Sequence, residues 1–221
     1  MGTALLTHLL LPAVIASPAG RIVVLSSRAA SRLSLQTPLA VLSDVGGLSR
    51  TSTGLTEYGE SKLLNMLWAE ALQARLRAHA SSRHVLVTSV HPGAVRTAIW
   101  DKADKSVRRR GWMRGWGMLV HPHLPLPPLL PHWQSWLVYL AIEAIKNFVC
   151  VSVEQGATSP LFLATAPEAA LVPGAMYDVG PQIRRFDLAS IKNYSPANAE
   201  AAFAALDAAI VAKGGPAFTL A

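Results

Sequence analysis

A chain of 221 residues, of which 51% are hydrophobic, is long enough for one domain with a sizeable core, and its composition excludes a disordered or fibrous protein. The formal charge of +7 comes from 20 basic residues against 13 acidic ones. Apart from Arg108-Arg109-Arg110 and Arg114 the basic residues are scattered, which argues against nucleic acid as a partner. The single cysteine, Cys150, excludes an internal disulfide and has no companions for a metal site, so the chain reads as intracellular and cytoplasmic.

In chain order, Met1 to Pro12 is apolar but short, with no basic start and no Ala-x-Ala cleavage pattern, and it reads as a core helix rather than a signal peptide. The turn Pro18-Ala19-Gly20 then feeds a β-branched run, Gly20 to Ser27, which has the character of a buried parallel strand. Ligands of open α/β sheets bind outside the carboxyl ends of the strands, so a hydroxyl at Ser26 or Ser27 is placed to hold a substrate oxygen. Residues 28 to 57 mix Ser, Thr, Gly and Pro without a clear period and read as a long loop of the functional type.

From Tyr58 the pattern is helical. Leu63, Met66, Leu67, Ala71, Leu72 and Leu76 recur at helical spacing, with Glu70, Gln73, Arg75 and Arg77 between them. Tyr58 and Lys62 are one turn apart on the same side of this helix. An ammonium beside a phenol, whose free pKa is about 10, favours the phenolate and suits the pair to general acid–base work. Tyr-x-x-x-Lys also recurs by chance on helix surfaces, so its meaning depends on the segments around it.

Beyond the turn Ser81-Ser82-Arg83, His84 to Val90 reads as a second buried strand. Pro92-Gly93 breaks it sharply and leaves the backbone of Gly93 to Val95 free to approach a ligand. His91, at the strand end, reads as a structural histidine and stays outside the site. Residues 98 to 150 are dense in Trp and Pro. Trp/Arg alternation over Arg108 to Trp116, followed by an apolar helix from Trp133 to Val149, suits a lipophilic substrate entrance, a lid over the core, or peripheral contact with a membrane. Glu143 and Lys146 in that helix argue against a span. Ser152 caps a further helix that runs through Ala164, Gly174 to Val179 forms the last core strand, Ala197 to Ala212 forms a terminal helix, and Lys213 to Ala221 is a frayed tail.

Three segments together, Val-Leu-Ser-Ser ending at Ser27, Tyr-Gly-Glu-Ser-Lys-Leu-Leu-Asn from Tyr58, and Val-His-Pro-Gly-Ala-Val-Arg-Thr ending at Thr97, resemble the short-chain dehydrogenase/reductase family, and most of all its retinol-dehydrogenase-like branch. The resemblance runs from residue 2 to about residue 212. It implies an α/β fold of the Rossmann type, a doubly wound parallel sheet. Ser27, normally the second serine of the pair, would orient the substrate oxygen, with packing or capping left to Ser26. Tyr58 would exchange the substrate proton, and Lys62 would support its phenolate and hold the nicotinamide ribose. Pro92, Gly93, Val95 and Thr97 would line the nicotinamide.

The resemblance also marks what the sequence lacks. Gly2, Leu6 and Thr7 match a family helix whose catalytic Asn would fall before Met1, and no stretch matches the glycine-rich turn that seats the cofactor pyrophosphate. The expected fold is therefore an N-terminally truncated, partial Rossmann-type sheet with exposed apolar edges and poor solubility. The implied function is NAD(P)-dependent interconversion of an alcohol and a carbonyl on a small lipophilic substrate, with NADP the expected cofactor and NAD the alternative. The competing expectation is a catalytically inactive fragment that serves as an interaction or regulatory protein.

Overall fold

A computed structural model describes residues 1–32, 55–97, 150–178, 184–188 and 194–220. The chain divides into two compact units, one of Met1–Pro92 with Ala157–Ala221 and one of Gly93–Gly156. The long loop beyond residue 32, with Gly46-Gly47, and the Trp/Arg-rich stretch with its expected apolar helix up to Val149 lie outside the described residues.

The larger unit begins with helix α1 (Gly2–Ala16), strand β1 (Arg21–Leu25) and a short 3-10 turn (Arg28–Arg32). Helix α2 (Leu55–Ala78) and strand β2 (Leu86–His91) follow, then helix α3 (Val153–Thr165), strands β3 (Met176–Asp178) and β4 (Arg184–Phe186), and helix α4 (Pro196–Val211). The strands form one sheet in the order β1-β2-β3-β4. β1, β2 and β3 run parallel, and β4 returns antiparallel to β3. The register sets Ile22 beside Val87, Leu25 beside Val90 and His91 beside Asp178.

Strand β2 explains the layering. It lies between two parallel neighbours, and Leu86 to Val90 are all buried, the continuous pattern of a strand covered on both faces. On one face Ile22, Val24, Val87 and Met176 pack with Leu63, Leu67 and Leu72 of α2 and Phe203 and Leu206 of α4. On the other, Leu86, Val90 and Tyr177 pack with Leu163, Ala166 and Leu171. Gly20 is required at the entry to β1, because a Cβ there would stand 2.4 Å from the Val14 carbonyl oxygen.

Helix α2 starts earlier than its pattern suggests and is buried more widely. Gln73, expected among the polar positions, is only 4% exposed. Its amide is satisfied at both ends, accepting from Val87 N–H at 2.6 Å and donating to the Val85 carbonyl at 3.2 Å, so one side chain fastens α2 to the start of β2. Against α4, Trp68 stacks on Phe203 with ring centroids 6.3 Å apart, and the Arg75 guanidinium lies 4.2 Å from the Phe203 centroid while pairing with Glu200. Tyr194 donates to Glu70, whose carboxyl is pushed up by burial.

Two expectations are corrected. Helix α1 buries Ala4 and Leu11 but leaves Leu6, Leu9 and Leu10 exposed, so it covers the core with one face only. The tail after α4 is pinned rather than frayed. Phe218 N–H donates to Asp207 Oδ1 at 2.8 Å, and its ring packs edge-on to Phe203 and 5.2 Å from His8. The capped helix agrees with expectation: Ser152 and Gln155 form a reciprocal box, each accepting the other's backbone N–H. Among the described residues no helix is long and apolar enough to cross a membrane.

Gln73→Leu is expected to destabilise the fold by about 1–3 kcal/mol, because it strands the buried Val87 donor in β2 and the Val85 acceptor just before it, as measured by urea denaturation. A second expectation concerns pH. The His8 side chain is 2% exposed among Trp68, Phe203 and Phe218, and burial lowers its pKa although Asp207, 3.8 Å away, opposes the shift. A depressed histidine pKa contributes stability that is intact above about pH 6.5 and is lost as pH falls through the folded-state value. Unfolding midpoints should therefore fall more between pH 7 and pH 5 in the wild type than in His8→Gln. Equal slopes would remove His8 as a cause.

Candidate functional site

The site is built where the carboxyl end of β1 meets the first turns of α2. Three hydrogen bonds hold the two elements together. Ser26 Oγ donates to the Lys62 carbonyl at 2.7 Å, Asn65 Nδ2 donates to the Leu25 carbonyl at 3.1 Å, and Lys62 Nζ donates to the same oxygen at 3.4 Å. Within the helix, Ser61 Oγ donates to the Tyr58 carbonyl at 2.7 Å. The two serines after β1 thus have different employment. Ser26 spends its proton on α2. Ser27, 8% exposed, accepts from Ala29 N–H at 3.2 Å, while its carbonyl accepts from Ala30 N–H at 3.0 Å. Its own proton has no acceptor among the described residues.

Tyr58 and Lys62 stand together as the helical spacing requires, with Lys62 Nζ 5.6 Å from the centroid of the Tyr58 ring. Tyr58 is 39% exposed. Lys62 is half-buried, burial lowers its pKa, and it pairs with no carboxylate among the described residues. A cavity of about 250 Å³ opens beside it, lined by Thr3, Ser61, Asn65 and Trp68 among others. An ammonium that is partly desolvated and not neutralised by a neighbour is available to a phenolate, a hydroxyl or an anionic ligand.

Of the remaining candidates, Pro92 directly follows β2, and Gly93, Val95 and Thr97 belong to the smaller unit. There Gly93 takes φ 89°, a conformation open to glycine, at the sharp break expected after the strand. Val95 forms an isolated parallel bridge with Val151, and hydrogen bonds run from Arg96 N–H to the Val151 carbonyl at 2.9 Å and from Val151 N–H to the Ala94 carbonyl at 2.8 Å. Thr97 is exposed, and Cys150 is half-buried and free.

His91, set aside as structural, ends β2 opposite Asp178. Arg28 Nε reaches Asp178 Oδ2 at 3.2 Å, which places a second polar group at the strand ends. Sequence reasoning passed over Asn65 and Arg28. Asn65 carried a signal, a polar amide inside the apolar run of α2. Arg28 carried none, because its partner lies in the last parallel strand.

No family model matches the chain. The crystal structure of an uncharacterized protein from Mycobacterium paratuberculosis resembles it with a TM-score of 0.51 at 21% identity, over 97% of this chain and 56% of that one. The likeness is one of fold. The chain spans little more than half the length of that protein.

Proposed function

We propose that the chain carries the proton-transfer half of a short-chain dehydrogenase/reductase site, interconverting an alcohol and a carbonyl on a small lipophilic substrate. Its mostly parallel sheet would then be the second half of a Rossmann-type layer. The observation that carries the reading is the Lys62 ammonium, held beside Tyr58 and against the Leu25 carbonyl with no carboxylate partner among the described residues, while Ser26 holds the Lys62 carbonyl. In this reading Tyr58 gives or takes the proton of the substrate oxygen, and the positive charge of Lys62 stabilises the phenolate left behind. The unspent proton of Ser27 hydrogen-bonds the same oxygen. A nicotinamide cofactor, NADP or NAD, supplies the hydride when bound. Tyr58, Lys62 and Pro92 would hold its nicotinamide end.

The chain has no glycine-rich turn to seat the pyrophosphate, and such a seat provides much of dinucleotide affinity in this architecture. A ligand held by one half forfeits the contacts of the other while still being ordered, and each 1.4 kcal/mol lost is about tenfold in Kd. Calorimetric titration with NADPH and NADH should therefore give a Kd on the order of millimolar or no heat. Micromolar binding would show a seat elsewhere in the chain.

A second reading, an interaction protein without turnover, is favoured by the exposed Leu6, Leu9 and Leu10 and the exposed Leu25 on the edge strand. Kinetics separates the two. In a length-restored protein that carries a glycine-rich turn, with saturating NADPH and a panel of lipophilic aldehydes and ketones, Tyr58→Phe should lower turnover by about 10²-fold or more at unchanged cofactor affinity, since the ring stays and only the proton is lost. Lys62→Ala should weaken both turnover and cofactor binding. Turnover that survives in Tyr58→Phe would remove Tyr58 from its role, and no turnover in the length-restored protein under any substrate would favour the second reading.

A further inference from the structure

Arg28 and Asp178 form an ion pair that the chemistry proposed above does not use. Arg28 lies just beyond β1 and Asp178 ends β3, and β2 stands between those strands. Adjacent strands are about 4.8 Å apart, so the pair bridges roughly twice that spacing across the front of the sheet. Few side chains other than arginine reach so far and still present a fork to a carboxylate.

The position of Arg28 in the corner gives the bridge its meaning. Ser27 accepts from Ala29 N–H through its hydroxyl and from Ala30 N–H through its carbonyl, and Ala30 is fully buried. Arg28 sits inside that turn. The place of Ser27 Oγ is set by the backbone dihedrals of the same residues, so a side chain anchored from position 28 restrains the hydroxyl. The Arg28 side chain is 63% exposed and that of Asp178 17%. A pair this open adds little to global stability. Its consequence is local geometry.

We propose that Arg28 and Asp178 are positioning residues for the Ser27 hydroxyl, their ion pair strapping the corner after β1 to the end of β3. The inference rests on the substrate role given to Ser27 above. His91 offers a built-in reporter. It neighbours Asp178 in register, and its Nδ1 is buried without a hydrogen-bond partner among the described residues. Burial lowers its pKa, Asp178 pulls the value up and Arg28 pushes it down.

The test is NMR on the whole chain. In Arg28→Gln the amides of Ala29 and Ala30 should exchange about threefold faster or more, with α2 and β2 amides unchanged, because the pair governs one turn and not the core. Arg28→Lys should restore most of the protection, and the His91 pKa should rise in Arg28→Gln and fall in Asp178→Asn. Arg28 is exposed, so its variants keep the fold and decide the matter even if Asp178→Asn does not. Neither readout involves cofactor or turnover, so failure of the dehydrogenase reading leaves both unmoved. Unchanged exchange at Ala29 and Ala30 together with an unchanged His91 titration in Arg28→Gln would overturn the strap.

Discussion

The lock between the end of β1 and the start of α2 fixes how the longest described helix sits on the sheet. A parallel strand pair needs a long crossover, and α2 supplies it between β1 and β2. Hydrophobic burial presses α2 onto the sheet without specifying its angular position, since apolar packing is not directional. Ser26, Lys62 and Asn65 add direction at one end, and Gln73 adds it at the other. With both ends fastened, the helical spacing of Tyr58 and Lys62 becomes a fixed geometry against the corner that bears Ser27.

The two cations nearest the strand ends are treated in opposite ways. Lys62 loses water and gains no carboxylate among the described residues, which leaves its charge available to a neighbour or a ligand. Arg28 stays largely in water and pairs with Asp178, where it restrains backbone. Ser89 and His91 pair with β3, and Ser89 Oγ, His91 Nδ1 and Asp178 Oδ1 are buried without hydrogen-bond partners among the described residues. Unsatisfied buried polar atoms cost free energy, so the ends of β2 and β3 carry a local cost.

The opposite character appears at α1 and β1. Leu6, Leu9 and Leu10 recur at the spacing of one helical face and are exposed, and β1 is an edge of the described sheet with Leu25 exposed at its end. Parallel sheets are normally covered on both faces, so among the described residues this is the least covered apolar surface.

The sequence by itself determined those features that depend on short spacings. Alternating strand and helix patterns, the burial of β2, the Tyr58–Lys62 pair one turn apart and the Ser152 cap all follow from residues within a few positions of each other, where periodicity and capping chemistry act. The tertiary structure alone decided the division of labour between Ser26 and Ser27, because adjacent serines differ only in which way the strand turns them. It decided the burial of Gln73, whose partners lie in the next strand, and the pinning of Phe218 by Asp207 and His8. It decided the Arg28–Asp178 bridge as well. Each of these joins groups that the chain brings together only after the sheet has formed, and no local pattern encodes a contact whose two halves belong to different strands and helices.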